Sequence, residues 1–333
     1  MMDYEKIVED FSWILEPQNI ILSPDSDWML CGLLLTKFTN SKIVWWYDWK
    51  IMLIKDWYEY QDCTFVDMDI NRSNIKSVWH HCVIFNKRIT GLNFNYRENC
   101  IQPNIIRNFD GKNDFQQKYP FGTVHLLICI LHHAWLISSI DEQGIRPMLF
   151  TDWVWNNLFW YTENCLERID YMWINNPKNP LYYHFCGNQH SFYEIMQWLD
   201  SFLRMRDTYN AEWYYDWVSY IIWGRNKRTW DKLKFSKPNW EPINLVWNWT
   251  LYNIHEIEKV RIENFIKSMA RYLWREYKEE SWYWWDLHLK TFSKWDFKNI
   301  NLTNSAYLDL MSNNPFSMAM TSSDNIEYTL DIV

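Results

Sequence analysis

The chain has 333 residues, of which 48% are hydrophobic and 22% charged, and its formal net charge is −8. This composition is typical of a globular protein with room for two domains, and it excludes a disordered chain. The negative charge disfavours general electrostatic binding of a long nucleic acid, so a small anionic substrate would need a metal ion to hold it.

The sequence also predicts the cellular location of the protein. The longest apolar run, TVHLLICILHHAWLI (123–137), is shorter than a membrane span, and its three histidines (His125, His132, His133) are interpreted as packing or rim residues of a helix. The start, MMDYEKIVEDF, is acidic and polar, unlike a signal peptide. Seven cysteines without a C-x-x-C pair indicate structural, reduced thiols. We therefore expect a cytoplasmic protein that does not bind a membrane.

The chain has far more tryptophan and far less glycine than ordinary proteins. The chain has 25 Trp and 7 Gly, whereas average usage predicts roughly 23 Gly. Asp-Trp occurs at 27–28, 48–49, 56–57, 152–153 and 216–217, and Asp-Gly is the dipeptide that usually forms turns, because glycine accepts a positive φ. The pattern indicates that the source reads the codon UGA as glycine, and it predicts glycine at positions 28, 49, 57, 79 and 153. The alternative is a protein that is truly rich in tryptophan, or a designed one.

The first half of the chain alternates short apolar runs with helical stretches. Strands are predicted at 19–23, 42–48, 63–70, 77–85 and 147–153, and helices at 27–38 and 122–137. Strands that alternate with helices favour a parallel α/β sheet with flanking helices.

The second half begins with mainly helical sequence. Residues 191–209 have an amphipathic pattern, and a polar break at 224–242 indicates a linker or exposed loop. A long amphipathic helix is predicted at 255–280, followed by a strand at 287–293. A short helix and two closing strands, SMAMTS (317–322) and IEYTLDIV (326–333), complete the chain.

Acidic and imidazole side chains follow four of the predicted strands. They are Asp25 and Asp27, then Asp67, then His80 and His81, then Asp152. Each group alone has an ordinary explanation as a turn, a helix N-cap or a strand residue. Together and in this order they predict a site at the carboxyl edge of a parallel sheet, with the carboxylate and imidazole ligands that Mn²⁺ or Mg²⁺ accepts. Two such ions can bind the attacking and leaving oxygens of a phosphoryl group.

This order of motifs resembles the DHH phosphoesterase superfamily over roughly residues 18–160. SPDSDW (23–28) is similar to the family's D-x-D motif, TFVD (64–67) to its second motif, WHH (79–81) to Asp-His-His, and FTDW (150–153) to its Thr-Asp motif. The resemblance implies that Asp25 holds a first metal, that Asp27, His80 and Asp152 hold a second, and that Asp67 bridges both. His81 would face the scissile phosphate as the catalytic donor or acid.

The same resemblance implies the activity and the domain organisation. The expected function is a divalent-metal-dependent phosphoesterase with one or two Mn²⁺ (or Mg²⁺) ions. Its substrate would be a small nucleotide, a short single-stranded oligonucleotide or another phosphorylated compound. The implied domains are a metal-binding α/β domain at 1–165, a helical connector at 166–240 and a substrate-binding α/β subdomain at 241–333.

The chain departs from the family pattern in three places. Ile21 replaces a ligand histidine, Trp79 replaces the first acid of Asp-His-His, and NPFS (314–317) replaces a Gly-rich GGGH loop, which makes Asn314 and Ser317 weak candidates for substrate binding. The departures leave open a catalytically degenerate nucleotide- or metal-binding protein. A third interpretation takes FVDMDI (65–70) as the aspartyl nucleophile motif of a haloacid-dehalogenase-type phosphatase.

Overall fold

The computed structural model describes residues 1–89, 99–187, 190–211, 235–237, 239–273, 276–297 and 302–331. The strands in these ranges are β1 (Asn19–Leu22), β2 (Lys42–Tyr47), β3 (Ile51–Lys55), β4 (Thr64–Val66), β5 (Lys76–Val78), β6 (Cys100–Ile101), β7 (Leu245–Asn248), β8 (Leu251–Ile254), β9 (Leu287–Phe297), β10 (Ser317–Ser322) and β11 (Asn325–Asp331). The helices are α1 (Tyr4–Asp10), α2 (Ser26–Phe38), α3 (Pro103–Ile106), α4 (Thr123–His133), α5 (Ile145–Phe150), α6 (Val154–Trp160), α7 (Thr162–Tyr171), α8 (Phe192–Ala211), α9 (Glu256–Leu273) and α10 (Asn304–Ser312).

The strands form one mixed sheet in the order β10-β11-β9-β3-β2-β1-β4-β5-β6, with the β7–β8 hairpin beside β9. Five neighbouring strands, in the order β2-β1-β4-β5-β6, pair in parallel. This confirms the predicted α/β class with flanking helices. The remaining strands pair antiparallel. Because β9 pairs with β3, the C-terminal strands continue the sheet of the N-terminal half. The division of the chain at 165 and 240 stays a prediction.

Most predicted elements match the observed ones, but the strand predicted at 147–153 is wrong. That segment forms α5 and then a 3-10 turn, Thr151–Trp153. The apolar run is too short for periodicity to distinguish a buried helix from a buried strand. The predicted strands at 63–70 and 77–85 are also too long, because the chain leaves the sheet directly after β4 and β5. Residues 224–234 and 238 of the predicted polar break lie outside the described part of the chain.

The core packs on both faces of the sheet. Ile20 and Leu22 of β1 join the cluster that contains the buried residues of α2 and α4, whereas Ile21 joins a second cluster with Phe65 and Phe316. α2 and α4 contact each other and are buried on nearly all sides, as expected for helices without a polar face. This packing places the N-termini of both helices beside the carboxyl ends of β1 and β4.

Positive φ angles occur at fifteen described residues other than glycine, and eight of these are tryptophan. The other seven are all Asn or Asp, which tolerate the left-handed region, whereas a bulky side chain is strained there. The tryptophans are Trp45, Trp49, Trp57, Trp135, Trp153, Trp173, Trp240 and Trp249. Three of the predicted glycine positions (49, 57 and 153) are in this group, and 28 and 79 are not. Residue 217 lies outside the described ranges. The recoding of UGA stays a prediction, and the backbone at these positions supports it.

Candidate metal centre

Four of the five predicted metal ligands come together in one group. Asp27, Asp67, His80 and Asp152 each offer a ligand atom, and these atoms lie within 4.8 Å of one another. Asp27 lies in the first turn of α2, Asp67 directly follows β4, and His80 follows β5. Asp152 does not follow a strand as predicted, but lies in the turn between α5 and α6. Three of the side chains are buried and that of Asp152 is half-buried, so the group can hold a cation away from bulk solvent.

The carboxylate of Asp27 lies at the N-terminus of α4. The backbone N–H of Thr123 donates to its Oδ2 at 2.6 Å, and that of Val124 donates to its Oδ1 at 3.0 Å. These bonds satisfy two amides that a helix start leaves without a partner. Burial raises the pKa of Asp27 well above its ordinary value, and the nearby charges of Asp152 and Asp67 raise it further. A bound cation would relieve this repulsion, so the electrostatics fit a metal site.

Asp67 is held by hydroxyl groups and by His80. The Ser23 hydroxyl donates to Oδ2 at 2.5 Å and the Thr123 hydroxyl donates to Oδ1 at 3.0 Å, while His80 Nδ1 lies 3.5 Å from Oδ1. Burial alone would raise the pKa of Asp67. The hydrogen bond and charge of His80, together with the two hydroxyls, outweigh burial and lower this pKa. Asp67 therefore stays ionised more easily than Asp27.

The hydrogen bonds of Thr123 also select the tautomer of His80. The threonine hydroxyl has a single proton, which it donates to Asp67, so it accepts from His80 Nδ1 at 2.9 Å. When the ring is neutral, His80 Nε2 carries the lone pair, and it faces Asp152 Oδ2 at 3.8 Å. This is the arrangement in which an imidazole can bind a metal through Nε2. Amide groups of Asn104 and Gln102 bond the backbone carbonyls of His80 and His81 and hold this loop in place.

Gly122 allows the carboxylates to approach the helix start. A Cβ at this position would lie 2.6 Å from Asp152 Oδ2 and 2.9 Å from Asp27 Oδ1, so no larger residue fits. His125 fixes this glycine: its Nδ1 accepts from the Gly122 N–H at 3.2 Å and its Nε2 contacts the Met148 carbonyl at 3.1 Å. Burial lowers the pKa of His125 to about 3, so the ring is neutral. Its role is packing and anchoring, which agrees with the interpretation from the sequence.

Asp25 and His81 line the same cavity but lie outside the group of four. The cavity has a volume of about 530 Å³, and Asp67, His80 and Asp152 also contribute to its wall. The Asp25 carboxylate accepts from the backbone N–H of Asp27 at 3.1 Å and caps α2. His81 is half-buried. The structure thus brings together one set of four candidate ligands, and the proposed acid, His81, lines the cavity beside that set.

The resemblance implies a substrate-binding subdomain at 241–333, but the individual residues that form the rest of the cavity wall were not predicted from the sequence. This part of the wall is formed by Asp48, Trp49, Lys50, Ser236, Lys294, Ala319, Thr321 and Glu327. Lys50 follows β2, and Lys294 lies on β9, so the two ammonium groups come from opposite ends of the chain. Gly122 was missed too, although a glycine directly before an apolar helix is conspicuous in a chain with 7 Gly.

Asn314 and Ser317, the weak candidates for substrate binding, do not line the cavity. The Arg72 guanidinium donates to Asn314 Oδ1 at 3.2 Å, and Ser317 is fully buried at the start of β10. Ala319 and Thr321, further along the same strand, are the residues that reach the cavity.

Within the described ranges, no helix combines the length and the apolar character that crossing a membrane requires. No family model, curated protein or solved structure matches the chain. The geometry of the centre and the sequence motifs are therefore the basis for assigning a function.

Proposed function

We propose that the protein is a divalent-metal-dependent phosphoesterase with a site of the DHH type. Its substrate would be a small nucleotide, a short oligonucleotide or another phosphorylated compound. The observation that carries the proposal is the convergence of Asp27, Asp67, His80 and Asp152 on one point, the last three of them in the wall of a cavity. The cavity volume of about 530 Å³ suits a small molecule or one or two nucleotide units.

The donor set favours Mn²⁺ among the common divalent ions. Three carboxylates and one imidazole form a mixed oxygen and nitrogen site, which Mn²⁺ accepts and which Mg²⁺ and Ca²⁺ fit less well. When bound, such an ion polarises a phosphoryl oxygen and lowers the pKa of a water molecule. One ion fits the group of four, and Asp25 is the nearby carboxylate that a second ion would use.

The residues of the chain itself supply orientation and proton transfer. Thr123 fixes the tautomer of His80, and the α4 N-terminus orients Asp27. His81, which lines the cavity outside the group of four, would give a proton to the leaving oxygen. Lys50 and Lys294 add positive charge elsewhere on the cavity wall, where they can bind the phosphoryl oxygens.

A second candidate is a metal-binding protein without catalytic activity. It is favoured by Ile21, which stands where the DHH family has a ligand histidine, because this side chain is fully buried and cannot reach a metal. The haloacid-dehalogenase interpretation is less favoured. It needs Asp69 as an acid beside the nucleophile, but the Asp69 carboxyl is fully buried, accepts from the Cys100 thiol at 3.2 Å and does not line the cavity.

The test is Mn²⁺ binding by calorimetry, followed by hydrolysis of short oligonucleotides, cyclic dinucleotides and pyrophosphate. We expect Asp67→Asn to abolish both metal binding and hydrolysis, because Asp67 is the central ligand. Asp69→Asn is the matched control, since it changes a buried carboxyl of the same segment that does not face the cavity. Metal binding without hydrolysis of any of these substrates would favour the non-catalytic candidate. Binding of no divalent ion would refute both.

A further inference from the structure

We propose that positions 49 and 79 determine how tightly the cavity over the metal centre binds a phosphorylated substrate. With tryptophan at both positions the two rings take up part of the space beside Lys294, and with glycine the cavity widens on the side of Lys50 and Lys294. This inference rests on the proposed function, and it names the residues that control phosphate binding at the same site.

The backbone at position 49 is that of a glycine. Asp48 to Ile51 form the two-residue hairpin loop between β2 and β3, closed by the Asp48 N–H and the Ile51 carbonyl at 3.1 Å. Trp49 has φ of 71°, whereas Lys50 is not among the residues with positive φ. A positive φ at the first central residue alone is the pattern of a type II′ turn, in which that position is glycine. The loop therefore needs no side chain at 49.

The side chains at 49 and 79 form a pair that covers the site. Their rings meet edge to face with centroids 5.6 Å apart and an interplanar angle of 62°, and both residues line the cavity. The Trp79 ring also lies 4.9 Å from the ring of His81, the residue placed to act on substrate. The ring contacts thus run from His81 through Trp79 and Trp49 to Lys294, so the pair lies between the proposed acid and this cation.

Removal of the rings would free the cations of the cavity wall. The Lys294 ammonium lies 5.3 Å from the centre of the Trp49 ring and 2.6 Å from a Glu327 oxygen. The Lys50 ammonium donates to the Lys237 carbonyl at 3.2 Å. Each ammonium has three donors, so these contacts leave capacity for a phosphate oxygen once the rings are gone. Five carboxylates also line the cavity, those of Asp25, Asp48, Asp67, Asp152 and Glu327, so an anion needs both lysines and the metal to bind.

The experiment compares the parent protein with the double variant Trp49→Gly/Trp79→Gly and with a control variant, Trp57→Gly. Trp57 also has a positive φ, 79°, but it is 89% exposed and lies outside the cavity. Inorganic phosphate binding is measured by calorimetry in saturating Mn²⁺, together with hydrolysis of bis(p-nitrophenyl) phosphate. We expect equal Mn²⁺ affinity in all three proteins. The affinity for phosphate should rise about tenfold or more in the double variant and not in the control, because one additional hydrogen bond to a charged group contributes about this much.

Each outcome bears on the inference. If the double variant binds phosphate no more tightly than the control while it retains Mn²⁺, the inference is overturned. It is also overturned if removal of the rings lowers the affinity for Mn²⁺, because the rings would then hold the metal ligands in position. Tighter phosphate binding without hydrolysis supports control of binding by 49 and 79 and refutes the phosphoesterase activity instead. Trp49→Gly alone provides the same readout if loss of the buried Trp79 ring prevents folding.

Discussion

At the scale of single residues, two of the proposed ligands have unusual backbone conformations. Asp67 has φ of 62° and Asp152 has φ of 48°, both in the left-handed region. Such residues cost of order 1–3 kcal/mol each and occur often at functional sites. Here the conformation turns each carboxylate out of its segment and towards His80. Hydrogen bonds from Ser23 and Thr123 hold Asp67 in that position.

His81 gives the clearest test at this scale, because it lines the cavity without belonging to the ligand group. We expect His81→Ala to lower turnover by about 10²–10⁴-fold, the usual contribution of a general acid or base. Mn²⁺ content, measured by elemental analysis, should stay near that of the parent. His132→Ala is a matched control, since its Nδ1 bonds the Ile137 carbonyl at the far end of α4. A variant that loses Mn²⁺ together with turnover would make His81 a ligand and contradict the assigned role.

At the scale of elements, the strained tryptophans occupy the glycine positions of standard motifs. α4 and α7 both end in a Schellman motif: the Leu136 N–H bonds the Leu131 carbonyl, and the Ile174 N–H bonds the Ile169 carbonyl. The left-handed residue of each motif, usually glycine, is Trp135 or Trp173. Trp45 has φ of 151° beside the register shift between β1 and β2. A tryptophan-rich composition alone does not explain why the residue falls at these positions.

This placement predicts that replacing Trp135 with glycine stabilises the protein. Trp135 is 92% exposed, so little packing is lost, and relief of about 1–2 kcal/mol of strain exceeds the added chain entropy of about 0.5–1 kcal/mol. We expect the free energy of unfolding to rise by about 0.5–1 kcal/mol in urea titrations. Trp247→Gly is the control, since Trp247 is exposed on β7 without a positive φ. That variant should lose stability, and equal losses in both variants would argue against glycine at 135.

At the scale of the whole molecule, the sequence predicts those parts of the site that depend on local pattern. Asp67 and His80 follow adjacent parallel strands, so their proximity follows from the strand order. The position of Asp152 after a helix could not be read from the run PMLF, because the run has no distinctive period. Lys294 reaches the cavity only because β9 pairs with β3 through Leu289 and Leu53, a long-range pairing that no local motif encodes.

The protonation of Asp27 links stability, metal binding and pH in the whole protein. Its pKa in the folded, metal-free state is raised well above the ordinary 3.8. The stability that this proton contributes is complete below pH 3.8 and is lost as the pH rises through the raised pKa. Asp67 acts with the opposite sign: its pKa is lowered, so its contribution is present above the ordinary value and is lost as the pH falls through the lowered pKa.

A metal ion competes with the proton on Asp27, so the stabilisation by Mn²⁺ should increase as the pH rises from the ordinary carboxyl value of 3.8 through the raised pKa of Asp27. At a free Mn²⁺ concentration of about 100 times the dissociation constant, the increment should approach about 2.7 kcal/mol. Urea unfolding with Mn²⁺ and with EDTA at several pH values measures it. The buried Asp69, whose pKa is also raised, affects both conditions equally and cancels in the difference. An increment independent of pH would mean that Asp27 is not a ligand. An increment that is absent at every pH would mean that the four side chains hold no divalent ion in solution.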